Sequence, residues 1–153
     1  MAQSTDGACV MTPELGFTLA NSAVLPAWIL LMLFPKWIWT RKLVPLAFIV
    51  PLSAVYLGLL AANLDSGGGF GTLDQVAALF KNPWVLLGGW IHYLAFDLFV
   101  GAWEVRDAQR LDLPHPPVVF CLFLTFMLGP IGLLMYLVLR VTKRRRWLLE
   151  EGE

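Results

Sequence analysis

The stretch from Pro83 to Arg110, PWVLLGGWIHYLAFDLFVGAWEVRDAQR, decides the fold. It is long and apolar enough to cross a bilayer as one helix, for which about 20 residues suffice. Yet it carries His92 and Tyr93 near its middle and Asp97 one turn on. It then runs into Glu104, Arg106, Asp107 and Arg110. A carboxylate at membrane depth costs at least ~2.5 kcal/mol on insertion scales, so an acid kept there has a structural or chemical use. The rest of the chain reads as scaffold around this helix.

The whole sequence shares the membrane character. Of 153 residues, 58% are hydrophobic and only 14% charged, whereas soluble domains carry about 25% charged residues. Eleven basic residues balance eleven acidic ones, which leaves no footprint for nucleic acid. The basic run Lys143 to Arg146 follows an apolar segment and reads as a membrane-side anchor. Cys9 sits in a polar segment and Cys121 in an apolar one, so no disulfide framework is expected. The opening residues, MAQSTDGACVMTPE, lack a basic n-region and apolar core, which makes the first apolar run the expected insertion signal.

Three further apolar runs flank the central one. Thr12-Pro13-Glu14 is a helix start. The run after it holds Asn21, Ser22 and Pro26, and Asn21 is placed to satisfy a carbonyl freed by the proline. PKWIWTRK, residues 35–42, looks like an interfacial belt. Ala54, Gly58 and Ala62 form a flat stripe on the second run, whose polar groups are Ser53 and Tyr56. DSGGGFG, residues 65–71, is a flexible loop without the Lys-Ser/Thr of a phosphate-binding loop. TLDQVAALFK, residues 72–81, is a short amphipathic segment suited to the interface. The last run contains Gly129-Pro130, read as a kink. These signals predict an all-α, integral membrane four-helix transmembrane bundle, one domain over residues 1–153, with spans at about 14–35, 43–63, 83–104 and 117–140. With four spans the Lys and Arg residues divide five against six between the two sides, so charge does not set the orientation.

On a helical wheel of 3.6 residues per turn, Trp90, Tyr93, Asp97, Gly101 and Glu104 share one stripe. His92, Phe96, Phe99, Trp103, Arg106 and Arg110 share another. His92 and Asp97 therefore form neither a metal pair nor a dyad on their own helix, and no metal or other cofactor is expected. Asp97 can bond Tyr93 one turn back and a donor on another helix, such as Asn21, Ser53 or Tyr56. Two uses fit it: a proton donor in an apolar pocket, suited to isomerising a polyene or epoxide, or a tie between helices. His92 is either a base or a packing histidine. Asp107 and Arg110 can pair at i, i+3. This boundary cluster is a solvated cap, or a grip on a lipid headgroup through Arg106 and Arg110.

Trp90, His92, Asp97, Leu98 and Phe99 form W-x-H-x-x-x-x-D-L-F. Asn82-Pro83-Trp84 precedes it, an acidic/basic turn with Asp107 and Arg110 follows, and Gly129, Pro130 and Gly132 complete G-P-x-G. This layout resembles the abscisic-acid-deficient-four-like family of small four-span membrane proteins of bacteria, cyanobacteria and plastids. Plant members are tied to neoxanthin formation from violaxanthin, an epoxide-to-allene isomerisation. The resemblance implies a protein that binds or isomerises a carotenoid or other isoprenoid lipid. Asp97, His92 and Tyr93 would be the catalytic candidates, with Trp90, Asn21, Tyr56, Arg106, Asp107 and Arg110 binding. Without the features of a plastid transit peptide, the expected location is a bacterial inner or photosynthetic membrane. The alternative is a non-enzymatic subunit or assembly factor of a larger membrane complex, or a homo-oligomer, packing through the Ala54–Gly58–Ala62 stripe.

Overall fold

Asn82 and Pro83 start the central helix as their types dictate. The Asn82 side chain accepts from the Trp84 amide at 2.9 Å, and Pro83 occupies the first turn, where its missing amide costs nothing. We describe the chain from a computed structural model, over residues 11–65 and 67–144. Its described residues form six helices. They are α1 (Pro13–Leu33), α2 (Ile38–Ala62), α3 (Leu73–Leu79), α4 (Pro83–Arg110), α5 (His115–Leu128) and α6 (Pro130–Arg144). Cys9 lies outside the described residues; Cys121 is a buried free thiol.

Three helices, α1, α2 and α4, are long and apolar enough to cross a membrane, and the protein is membrane-embedded. α4 is the hub, packing against α1, α2, α5 and α6. Its 28 residues extend roughly 42 Å at 1.5 Å per residue, more than the ~30 Å hydrocarbon core. α1 runs parallel to it and presents Ala20, Val24, Ala27, Trp28 and Leu31. α2 runs antiparallel, with Tyr56 against His92 and Asn63 bonded to Asn82 at 3.1 Å. Pro45 and Pro51 remove amide donors from α2, and over Val44–Ile49 it widens to π geometry. Large apolar side chains such as Leu46, Leu57, Phe96 and Leu134 face outward. In lipid that exposure is cheap, so packing and buried hydrogen bonds hold the helices together.

The expected fourth span is not one helix. Gly129 adopts φ +52°, a conformation that favours glycine, and the chain turns back on itself there. Contacts with α4 trace the reversal. Thr125 meets Glu104, and Gly129 lies against Asp97 near the middle of α4. Tyr136 then returns to Trp103 and Asp107, and Arg140 reaches Asp107. α5 and α6, of 14 and 15 residues, are roughly 21 and 22 Å long. They form a tight hairpin whose tip stops level with Asp97. Gly132 makes the tip possible, because a Cβ there would overlap the backbone nitrogen and Cα of Thr125. The base of the hairpin is fastened to the end of α1: Gln109 donates to the Pro35 carbonyl, and His115 Nε2 lies 2.8 Å from the Met32 carbonyl.

Candidate functional site

The two stripes of α4 face different surroundings. Asp97, Gly101 and Glu104 are buried, Asp97 and Glu104 against the hairpin. His92, Phe96, Phe99, Arg106 and Arg110 are exposed. Three polar places result, one at each level of the helix.

Near the start of α4, Tyr56, Leu59, Leu60, Phe70, Leu79, Phe80, Val85, Gly88, Gly89 and His92 line an open groove of about 360 Å³. The glycine-rich loop and α3 form its outer wall. The Gly71 amide donates to the Gln75 side chain at 3.1 Å, and the Gly69 amide to the Gln75 carbonyl at 3.3 Å. The Thr72 hydroxyl caps α3 by accepting from the Gln75 amide. These bonds hold Phe70 and Phe80 over the groove. The His92 ring lies 5.2 Å from Tyr56 and 4.6 Å from Phe96, centre to centre, within the range of favourable aromatic pairs.

At mid-helix, Asp97 and the Tyr93 ring both lie against Gly129. Asp97 Oδ2 is buried with no hydrogen-bond partner among the described residues. Trp90, one turn before Tyr93, stacks on it at 5.3 Å and donates to Asn21 Oδ1 at 3.2 Å. The Asn21 amide donates to the Phe17 carbonyl, not to the carbonyl one turn before Pro26. Trp90, Asn21, Tyr93 and Asp97 thus lie on one flank of α4, while His92 and Tyr56 lie on another. The groove that His92 lines does not include Asp97.

Toward the end of α4 the boundary cluster is not a solvated cap. Glu104 is fully buried and accepts from the Thr125 hydroxyl at 3.0 Å. Asp107, 3% exposed, accepts from the Tyr136 hydroxyl at 2.7 Å and from Arg140 Nε at 2.9 Å. Its other oxygen pairs with Arg110 at 2.6 Å. Arg140 itself is 1% exposed. The hairpin covers both acids, which is why they are buried. Arg106 stays exposed and donates to its own helix at Ala102. Sequence reasoning missed Thr125, Tyr136 and Arg140. The available signal was the Tyr136–Arg140 pair at i, i+4, a polar face inside an apolar run.

A wider cleft of about 740 Å³ opens between the α1–α2 and α4–α5 turns. Two of its polar side chains, Gln109 and His115, are already bonded to backbone carbonyls. Among the described residues no three His, Cys, Asp or Glu side chains gather as a metal-binding group. No curated protein and no solved structure matches the chain. The family described as ABA DEFICIENT 4-like matches residues 15–136, which takes in α1 from Leu15, α2, α4, the hairpin tip and every residue of the three polar places except Arg140. The chain belongs to the ABA DEFICIENT 4-like family.

Proposed function

We propose that the protein binds an elongated isoprenoid lipid of the carotenoid type, with its end group in the Tyr56–His92 groove. The groove carries this reading. Its walls are apolar apart from a phenol and an imidazole, the usual make-up of a site that holds a hydrophobic ligand and orients one polar feature. Its volume suits an end group, and the chain beyond has a track. Phe96, Phe99, Trp103 and Arg106 continue the His92 stripe along α4, and 14 residues of helix cover roughly 21 Å. His92 is the group placed to give or take a proton at the end group. Asp97 lies on the other flank, against the hairpin tip at Gly129.

The test is purification in mild detergent from a carotenoid-producing host, followed by visible absorbance and lipid mass spectrometry. His92→Ala and Tyr56→Phe are expected to lower the co-purifying polyene about tenfold, the effect of ~1.4 kcal/mol. The amount of folded protein should stay unchanged. Wild-type protein carrying only bulk phospholipid would sink the reading.

A second reading, a subunit of a larger membrane assembly, is favoured by the Ala54–Gly58–Ala62 stripe. All three residues are exposed, and a Cβ on Gly58 would meet nothing within 4 Å. Close helix approach through such a face is a common mode of association in membranes. Gly58→Leu is expected to leave the monomer folded and to remove any stoichiometric partner seen by native mass spectrometry. An unchanged complex would count against it.

A further inference from the structure

We infer the orientation of the chain in the membrane from the hairpin and the charges together. The three long helices alternate in direction, so their ends fall into two groups. One end holds the start of α1, the end of α2, the glycine-rich loop, α3 and the start of α4. Pro13 and Glu14 lie beside Pro83 and Leu86, and Asn63 is bonded to Asn82. The other end holds the α1–α2 turn, the end of α4 and the α4–α5 turn, with Lys36 and Trp37 beside Gln109 and Asp112. A last segment that crossed as one helix would carry the C-terminal cations to the first end. The hairpin keeps them at the second, because Arg140 is bonded to Asp107 near the end of α4.

That reversal changes the charge count. Among the described residues, Lys36, Arg41 and Lys42 of the first turn lie at the second end. So do Arg106 and Arg110 of α4, and Arg140, Lys143 and Arg144 of α6. The first end has Lys81 alone. The bias is eight to one, where four spans leave a near tie. Lys and Arg near the ends of spans, rather than net charge, set orientation, and they favour the cytoplasmic side. Trp37 and Trp39 are exposed at this cationic end, where aromatic side chains favour the headgroup level. The anionic lipids of the cytoplasmic leaflet are the matching surface for such a collar.

The chain therefore crosses three times, with the α1–α2 turn and both ends of the hairpin at the cytoplasmic face. The hairpin enters from that face and returns to it. The glycine-rich loop and the mouth of the Tyr56–His92 groove lie at the opposite face, so whatever occupies the groove comes from the leaflet remote from the cytoplasm. This assignment does not depend on what the ligand is, and it holds even if the isoprenoid reading fails.

Single-cysteine variants read the orientation directly. In a Cys9→Ser, Cys121→Ala background, Asp74→Cys marks α3, Lys36→Cys the first turn, and Thr142→Cys the end of α6; all three positions are exposed. Each is expressed in a bacterial inner membrane and treated with a membrane-impermeant maleimide, in intact cells and in inverted vesicles. The expected result is full labelling of Asp74→Cys in cells only, and of Lys36→Cys and Thr142→Cys in inverted vesicles only. Labelling of Thr142→Cys together with Asp74→Cys would mean a fourth crossing and overturn the hairpin assignment. Labelling of Lys36→Cys in cells with Asp74→Cys protected would overturn the orientation. If a cysteine variant is not recovered in the membrane, an activity-reporting fusion after Glu153 of the unaltered chain makes the same test. A fusion active only outside the cytoplasm would overturn the proposal.

Discussion

Asp107→Ala is expected to destabilise the protein by about 3–5 kcal/mol, the usual loss when one member of a buried ion pair is removed. The carboxylate takes the Tyr136 hydroxyl and Arg140 on one oxygen and Arg110 on the other, so the change strips three donors of a shared acceptor. For a chain of this size that loss corresponds to a fall in unfolding midpoint on the order of 10 °C, readable by tryptophan fluorescence in detergent. Arg110 is the exposed member of the cluster. Arg110→Ala should therefore shift the midpoint by no more than the ~1 kcal/mol typical of a surface pair. Pairing Asp107→Ala with Arg140→Leu should recover part of the loss, since an apolar side chain replaces the guanidinium. If Asp107→Ala and Arg110→Ala shift the midpoint equally, the cluster is wet and the buried network does not hold the hairpin.

Gly132→Ala is expected to destabilise the protein by about 3 kcal/mol or more. The added methyl would overlap backbone atoms of Thr125, and backbone cannot swing away as a side chain can. Overpacking a core typically costs ~1–3 kcal/mol, and the upper end or beyond applies where no rotamer relieves it. The two arms of the hairpin would have to part, drawing Thr125 away from Glu104. Gly58→Ala supplies the contrast. It makes the same chemical change on an exposed helix face with open space, where alanine is worth roughly 0.5–1 kcal/mol over glycine. Equal yields and midpoints for the two variants would show that the hairpin tip is not closely packed.

The central helix was legible in the sequence because its signals are local. Asn82-Pro83 set its start, and its two stripes follow from helical period alone. α1 and α2 were legible for the same reason. The hairpin was not. Gly129-Pro130 in an apolar run is compatible with a kink in one continuous helix. What separates a kink from a reversal is the close approach of Gly132 to Thr125, a contact between turns that no window of sequence displays. The burial of Glu104 and Asp107 was hidden by the same gap. Their stretch reads as a solvated boundary until the returning helix is laid across it. The divergence of His92 and Asp97 was readable from their spacing. That the second faces the hairpin and the first a groove on α2 was not.

The network also has a direction in time. A chain made from its N-terminus exposes Glu104 and Asp107 before Thr125, Tyr136 and Arg140 exist. In the orientation inferred above, the acids wait near the cytoplasmic headgroups, where water can still solvate them, until the hairpin is made and seals them. Because it closes from the side on which it is synthesised, its polar face never has to be carried across the hydrocarbon.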